Sequence, residues 1–412
     1  MSYEQLIARR FLKGDKDNFS HPLVRIATYT IALGVVVMIM AVSILRGFQQ
    51  GIEEKLVGFG AHIVVQNYGW VNEYDVDGIS LSTDEVAALE RIEGVASVAP
   101  FAYKGGMLKT DDQIQGIIFK GVSLDRNNVA EGNDFFQQHM LRGRLPLNAD
   151  TASPGDEVIV SQRLAAKMHL DTGMKARLYF WLGNDYRARA LRIVGIYNTD
   201  ISEFDDHYLI GDINLIQRLN DWPGTTVGGY EILLQDMNLL DPLAQQVKQC
   251  TRPDLKVTTI KENEPSMFAW LELLNSNIVL ILTIMGVVCA ASVVSALLIM
   301  IFEKTSMIGI LKTLGATNRS IRSVFMLKAG SIVGKGLLAG NLLALLLCWI
   351  QHKFHVVRLD SESYSMDFVP IDLDVTYFLG VSAVTATICE LALFITSTYI
   401  AHIDPARSIR VE

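Results

Sequence analysis

Four stretches of this chain are long and apolar enough to cross a lipid bilayer, and no other feature limits its fold as strongly. A hydrocarbon core about 30 Å thick needs roughly 20 consecutive apolar residues in a spanning helix. Residues 26–45 and 278–301 meet that length without a charge. Residues 324–350 meet it with Lys328 and Lys335, and residues 375–400 meet it with Glu390. The bulk numbers agree: half of the 412 residues are hydrophobic, only 19% are charged, and the mean hydropathy is +0.28. An average soluble protein is nearer a quarter charged. The first run is longer than a signal-peptide core. It is followed by the bulky Ser43-Ile44-Leu45-Arg46-Gly47-Phe48 rather than a small-x-small cleavage site, so it reads as an uncleaved anchor.

Charge sets the expected direction, because Lys and Arg concentrate on cytoplasmic flanks. Arg9, Arg10, Lys13, Lys16 and Arg25 precede the first run; Lys304, Lys312, Arg319 and Arg322 follow the second; Arg407 and Arg410 follow the fourth. The segment between the third and fourth runs instead sets Lys353 and Arg358 against Asp360, Glu362, Asp367, Asp372 and Asp374. Four spans then alternate with both termini inside. Segments 1–25 and 401–412 are cytoplasmic, 46–277 is an outer domain, 302–323 an inner link and 351–374 a short outer loop. Residues 47–277 hold 20 Lys and Arg against 32 Asp and Glu, a net of −12, which leaves +4 for the rest of a chain of net charge −8. An acidic outer domain gives no support to nucleic-acid or anionic-lipid binding by that domain.

The outer segment alternates strand-like and helix-like stretches with no fixed repeat, and its length permits one domain or two lobes. Strands are expected over 62–66, 95–103, 113–121, 175–181, 186–196, 230–234 and 256–260, and helices over 83–92, 161–168, 213–219 and 240–249. Ser82 or Thr83 with Glu85 nearby resembles a helix cap, and Leu182-Gly183-Asn184-Asp185 reads as a hairpin turn. The expected fold class is therefore a membrane protein with four transmembrane α-helices and a large α+β extracytoplasmic domain between helices 1 and 2.

The inner link carries the most information. Met307, Ile310, Leu311 and Leu314 fall on one face of a helix, Lys304 and Lys312 lie off that stripe, and Gly315 can close the helix in the left-handed conformation. Periodicity alone leaves lipid and a protein groove as alternative covers for that face.

Several stretches together resemble one family. They are Gly47-Phe48 with Ile52, then His62-Ile63-Val64-Val65; Glu303-Lys304 followed by Gly309-Ile310-Leu311-Lys312-Thr313-Leu314-Gly315-Ala316; Gly334-Lys335-Gly336-Leu337-Leu338-Ala339-Gly340-Asn341; and the ending Pro405-Ala406-Arg407-Ser408-Ile409-Arg410-Val411-Glu412. In order and topology the chain is similar to the FtsX-type permeases of ABC transporters, especially the lipoprotein-releasing LolC/LolE type. The resemblance implies that 303–316, with Glu303, Lys304, Met307, Ile308, Ile310, Leu311, Lys312, Leu314 and Gly315, is a coupling helix seated on a separate cytoplasmic ATPase present in two copies. It implies no cofactor on this chain, with ATP and Mg on the ATPase. It also implies a second permease chain, identical or related, a lipoprotein substrate and a soluble periplasmic carrier. Each acyl CH₂ drawn from the bilayer costs about 0.8 kcal/mol, which fits coupling to ATP and a sheltering cavity. Met38, Met40, Ile44 and Phe48 with Ile281, Met285 and Val288 are candidate cavity residues, and ordinary packing is the competing role. Some members dock the carrier through an extended hairpin; the loop at 182–185 is short, which points to a partner chain or a surface such as Trp181. A same-fold rival is export of a drug, peptide or other amphiphile; a rival of another class is transmembrane signalling to a cell-wall hydrolase, and a third, a membrane-anchored enzyme, is disfavoured by the lack of a catalytic constellation.

Catalytic signatures are missing. Gly330-Ser331-Ile332-Val333-Gly334-Lys335-Gly336 has the wrong spacing for a phosphate-binding loop and lies in an apolar helix. His352 and His355 are a lone pair beside a membrane end, and neither HExxH nor GxSxG occurs. The four cysteines, Cys250, Cys289, Cys348 and Cys389, form no CxxC. Lys335 and Glu390 each lie roughly 15 Å from the cytoplasmic end of their runs, an arrangement that predicts an intramembrane ion pair. Gly330/Gly334 and Gly336/Gly340 provide spacings for close helix contact.

Overall fold

The computed structural model describes residues 20–68, 77–111, 113–123, 131–146, 156–182, 185–360, 364 and 366–398, with side chains described except at 20–23 and 131–134. Arg9, Arg10, Lys13 and Lys16, the turn residues Gly183 and Asn184, Glu362, and the closing motif from Pro405 to Glu412 with Arg407 and Arg410 lie outside the described residues.

Four helices are long and apolar enough to cross a membrane. The first, α1, runs Ser20–Phe59; α9 runs Pro265–Glu303, α11 runs Asn318–Phe354 and α12 runs Val375–Ser397. Three of them outrun the expected spans. At 1.5 Å per residue, the 40 residues of α1 reach about 60 Å, twice the hydrocarbon thickness.

The chain divides into two compact units: residues 1–49, 270–358 and 369–412, and residues 50–269 with 359–368. The core of the first unit is Ile31, Val35, Ile39, Cys289, Val293, Leu297, Ile332, Val333, Cys348, Cys389 and Leu393 with their neighbours. Glycine sets how closely two of its helices meet. A Cβ on Gly336 would come within 2.8 Å of Ile31, and one on Gly340 within 2.8 Å of both the Ala32 carbonyl oxygen and Val35. That pair brings α11 onto α1, as small residues do between membrane helices. Gly330 and Gly334 have no such neighbour within 4 Å. On the other flank, Asn341 of α11 exchanges hydrogen bonds with Ser382 of α12 at 2.8 and 3.1 Å.

Among the described residues the second unit is built on ten strands: β1 Ile63–Asn67, β2 Val95–Lys109, β3 Ile114–Val122, β4 Met140–Gly143, β5 Glu157–Ser161, β6 Lys175–Leu182, β7 Asp185–Tyr197, β8 Tyr208–Asp212, β9 Gly229–Leu234 and β10 Leu255–Thr259. Helices α2 Thr83–Glu90, α3 Glu131–Gln138, α4 Gln162–Met168, α5 Ser202–Asp205, α6 Ile213–Leu219, α7 Leu240–Cys250 and α8 Ile260–Asn263 punctuate them. Six strands close on themselves in the order β2–β3–β8–β5–β7–β6 and back to β2. The ring is a small barrel, filled by residues such as Leu108, Phe119, Val158, Leu178, Phe180 and Leu191, all fully buried. Phe119 and Phe180 meet edge to face at 5.9 Å. Strand β2 also belongs to an open wing, β10–β1–β9–β2. It serves both by changing partner along one edge, pairing β9 over Val95–Phe101 and β6 over Gly106–Lys109.

Most expected elements are present. Ser82 caps α2 in a full capping box with Glu85, and Ser161 caps α4. Strand β2, however, continues past the expected stop at 103 through Gly105 and Gly106. A Cβ at Gly106 would lie 2.9 Å from the Tyr179 carbonyl, so this glycine marks a close approach by β6 rather than a turn. Strands β4, β5 and β8 were not expected; five-residue apolar runs are ambiguous by pattern.

Two buried groups carry opposite acid responses. Burial holds His62 neutral, with its pKa down at about 4, while its Nδ1 accepts the Leu234 N–H at 3.0 Å. Burial pushes the Asp205 carboxyl up to about 6, partly offset by hydrogen bonds from Thr199. Between pH 4 and 6.5 the unfolded state binds more protons at position 62, so this group stabilises above pH 6.5 and the effect is lost as pH falls through 4. Asp205 acts in reverse between about pH 4 and 6, since there the folded state binds more protons. The expected outcome is that His62→Asn, which keeps an acceptor, gains roughly 2 kcal/mol relative to wild type on going from pH 7 to pH 4.5, measured by thermal unfolding. In the membrane unit, Gly340→Ile should cost about 1–3 kcal/mol through overpacking, whereas Gly334→Ile should leave the melting temperature nearly unchanged.

Candidate functional site

The link between α9 and α11 folds as a short helix, α10, Thr305–Thr313. It begins where α9 breaks at Lys304, whose backbone turns to φ −102°, ψ 17°. Glu303 and Lys304 pair side by side at 3.5 Å. It ends in a Schellman motif: Ala316 N–H bonds the Leu311 carbonyl at 2.9 Å, Gly315 N–H bonds the Lys312 carbonyl at 3.1 Å, and Gly315 has φ +90°. Glycine suits that position because it lacks the Cβ that makes positive φ costly. Thr317 then caps α11 through the Ser320 N–H.

The expected single stripe is split by the way α10 packs. Ile308 is fully buried and Gly309 is buried, and Met307, Leu311 and Ala316 pack on the core of the membrane unit. Ile310 and Leu314 face away, 52% and 79% exposed. Burial centred on Ile308 rotates Ile310 and Leu314 out of the seam. The helix is therefore apolar on two sides: one holds it to its own unit, and the other presents two large aliphatic side chains one turn apart.

Lys335 and Glu390 are not brought together. Both are exposed on the membrane unit, and no ion pair links them among the described residues. Equal depth is present, but the azimuth is wrong. The α12-facing side of α11 carries Met326, met by Ser397, and Asn341, met by Ser382. At 3.6 residues per turn, Lys335 lies about half a turn around from Met326 and a third of a turn from Asn341.

The cavity candidates also separate. Met38 is buried in the core, and Met40, Ile44 and Met285 pack against it. Phe48 is half-buried, while Ile281 and Val288 are exposed on α9. Gly34 lets α9 close on α1 at this level, since a Cβ there would meet the Cys289 Sγ at 2.5 Å and the Met285 Cε at 3.6 Å. The seven residues therefore do not form one surface within a single chain.

A polar cluster missed in the sequence lies at the end of α1, within the second unit. Lys120 of β3 is 1% exposed. Its Nζ donates to the Phe59 carbonyl, the last residue of α1, and to Glu231 Oε1 of β9 at 2.7 Å. The ammonium also lies over the Phe59 and Tyr103 rings at 5.2 and 5.7 Å. Burial pushes the Glu231 carboxyl above its usual range, and the Lys120 charge opposes that shift. Phe59 stacks on Phe204 at 4.1 Å and meets Tyr208 edge on at 4.9 Å. One turn back, Lys55 bonds Asp200 at 2.7 Å, both largely buried. The signal was a lysine inside the apolar strand Ile117-Ile118-Phe119-Lys120.

The FtsX-like permease C-terminal model matches residues 279–405, and the MacB-like periplasmic core domain model matches residues 26–249. The lipoprotein-releasing system transmembrane protein LolC of Neisseria meningitidis serogroup B is 25% identical over 100% of both chains. LolC of Haemophilus influenzae is 22% identical over 98% of both. The macrolide export ATP-binding/permease protein MacB of Neisseria gonorrhoeae is 21% identical over 91% of this chain and 56% of its own length. Among solved structures, the periplasmic region of MacB from Actinobacillus actinomycetemcomitans covers 52% of this chain and 97% of its own, at 14% identity and a TM-score of 0.35.

Because Lys335 and Glu390 point apart, their energies should add. A double-mutant cycle of Lys335→Met and Glu390→Gln, followed by thermal unfolding in detergent, is expected to give a coupling energy below about 0.5 kcal/mol.

Proposed function

Because this chain belongs to the FtsX-like permease family, with a MacB-like periplasmic core domain between its first two membrane helices, we propose that it is the permease subunit of an ABC system that releases lipoproteins from the inner membrane. The observation that carries this reading is likeness to LolC along the whole chain, together with a link helix whose outward face offers Ile310 and Leu314.

In this reading the termini and α10 are cytoplasmic and the barrel domain is periplasmic. The chain itself is non-catalytic. Two copies of a separate ATPase bind ATP and Mg, and a groove on each receives an apolar helix face; burying Ile310 and Leu314 there supplies the attraction. A second permease chain completes the membrane cavity. This fits the split among the candidate residues, with Met38 buried, Met40, Ile44 and Met285 packed on the core, Phe48 half-buried and Ile281 and Val288 exposed. The soluble carrier is received at the β6–β7 hairpin or on a partner chain. On that hairpin, Trp181 and Tyr186 are each more than half exposed and stand 6.4 Å apart.

Likeness to MacB supports export of a macrolide-like amphiphile as the second reading. One experiment separates the two. The complex is purified, reconstituted in vesicles with a labelled lipoprotein or a labelled macrolide, and supplied with ATP and a soluble acceptor. Lipoprotein in the soluble fraction is expected; macrolide transport without lipoprotein release overturns the reading. In the same preparation, Ile310→Asp with Leu314→Asp should reduce co-purifying ATPase at least tenfold while the chain stays folded.

A further inference from the structure

The buried cluster at the end of α1 has no role in ATP capture or in holding an acyl chain, yet it gathers unusual chemistry at one point. An α-helix ends with carbonyls that have no partner inside the helix and with partial negative charge. Here the chain buries that end and places an ammonium on it. A fully buried lysine is costly to desolvate unless it is paired and hydrogen-bonded. Lys120 meets both conditions by bridging two separate elements, the last carbonyl of α1 and the Glu231 carboxylate of β9. Strand β9 pairs with both β1 and β2, and Lys120 itself sits on β3, which pairs with β2 and β8. One side chain thus ties the helix end to both the open wing and the closed ring. An apolar pair of similar volume would remove the cost of burying the two charges but would leave the Phe59 carbonyl without its donor. What such a pair lacks is a directional bond to the helix end. A cavity of about 30 Å³, bordered by Gly58, Pro100, Lys120, Ser123 and Glu231, adjoins the cluster.

We propose that Lys120 is the positioning residue through which displacement of α1 reaches the barrel domain: its bonds to the Phe59 carbonyl and Glu231 make the helix end and the sheet move together. The proposal rests on the lipoprotein-release reading for its biological output, but not for its physical content.

The test uses the complete reconstituted complex and the double variant Lys120→Met with Glu231→Leu, which removes both buried charges and keeps the volume. Its melting temperature is expected to fall by a few degrees, because the Phe59 carbonyl loses its donor, while the complex stays folded. ATP hydrolysis is expected to continue within twofold, while lipoprotein released per ATP falls at least tenfold. Wild-type release per ATP from the folded double variant would overturn the proposal, because packing alone would then suffice. Glu231→Gln, which keeps the Lys120 bond to Phe59, is the second variant and should retain most of the coupling; a loss as deep as in the double variant would overturn the role given to the helix-end bond. If the wild-type complex hydrolyses ATP and releases no lipoprotein, the functional reading fails and the joint is read separately. Spin labels on exposed Cys250 and on Leu342→Cys would report a nucleotide-dependent distance change in the wild-type background. Loss of that change in the double variant supports the joint, and its persistence overturns it.

Discussion

The carbonyl end of α1 must be satisfied inside the domain it enters, and much of the second unit is arranged around that need. A helix that finished in water would leave its last carbonyls to solvent. This one finishes among Phe136, Phe204 and Tyr208, where an unpaired carbonyl is costly. Lys120 answers the carbonyl, Glu231 answers Lys120, and the strands bearing them are held in register by β2. Farther back on the same helix, Gly47 lies against the Pro370 backbone and Gly51 against Met366, so the segment between α11 and α12 follows α1 at two successive turns. Gln351 keeps that segment in shape, donating to the Val357 and Val369 carbonyls and accepting the Val357 N–H.

The link helix shows the opposite strategy. Its buried side is complete, with Ile308 and Gly309 sealed and a full Schellman close at Gly315. Its outer side is left apolar. Exposed aliphatic residues are individually ordinary. Two of them one turn apart, on a helix already anchored through its other face, make a preformed surface that loses little conformational freedom when covered.

How much of this was legible in the sequence depends on which coordinate of a residue is asked for. Apolar run length gives position along a helix directly, so the four spans and the depths of Lys335 and Glu390 were readable. Azimuth depends on which face packs, and that is a tertiary fact. The pairing of Lys335 with Glu390 therefore does not form, and the stripe on α10 divides between Ile308 and Ile310. The two glycine pairs on α11 look alike in sequence; only Gly336 and Gly340 face another helix closely. In the inserted domain the Ser82 cap was readable because its partner Glu85 is three residues away, whereas Ser161, read as part of the helix, is its cap. The Lys120 cluster joins residues 59, 120 and 231, and no local pattern reports contacts that distant. A lysine in an otherwise apolar strand was the one available hint. Gly106 shows the same limit: from sequence, a glycine that admits a neighbouring backbone looks the same as one that makes a turn.

Strand β2 has its own consequence for how the domain can change over generations. It is paired along its whole length, to β9 over Val95–Phe101, to β3 over Phe101–Lys109 and, on the edge opposite β3, to β6 over Gly106–Lys109. Side chains alternate between faces with a period of two. A single inserted or deleted residue near its middle would turn every later side chain to the opposite face, emptying the barrel and exposing its lining. The register shift at Val95–Ser97 is confined to the strand's beginning, ahead of the ring. A change of length is therefore far better tolerated in the connections between strands than within β2, where the ring must stay in register to stay shut.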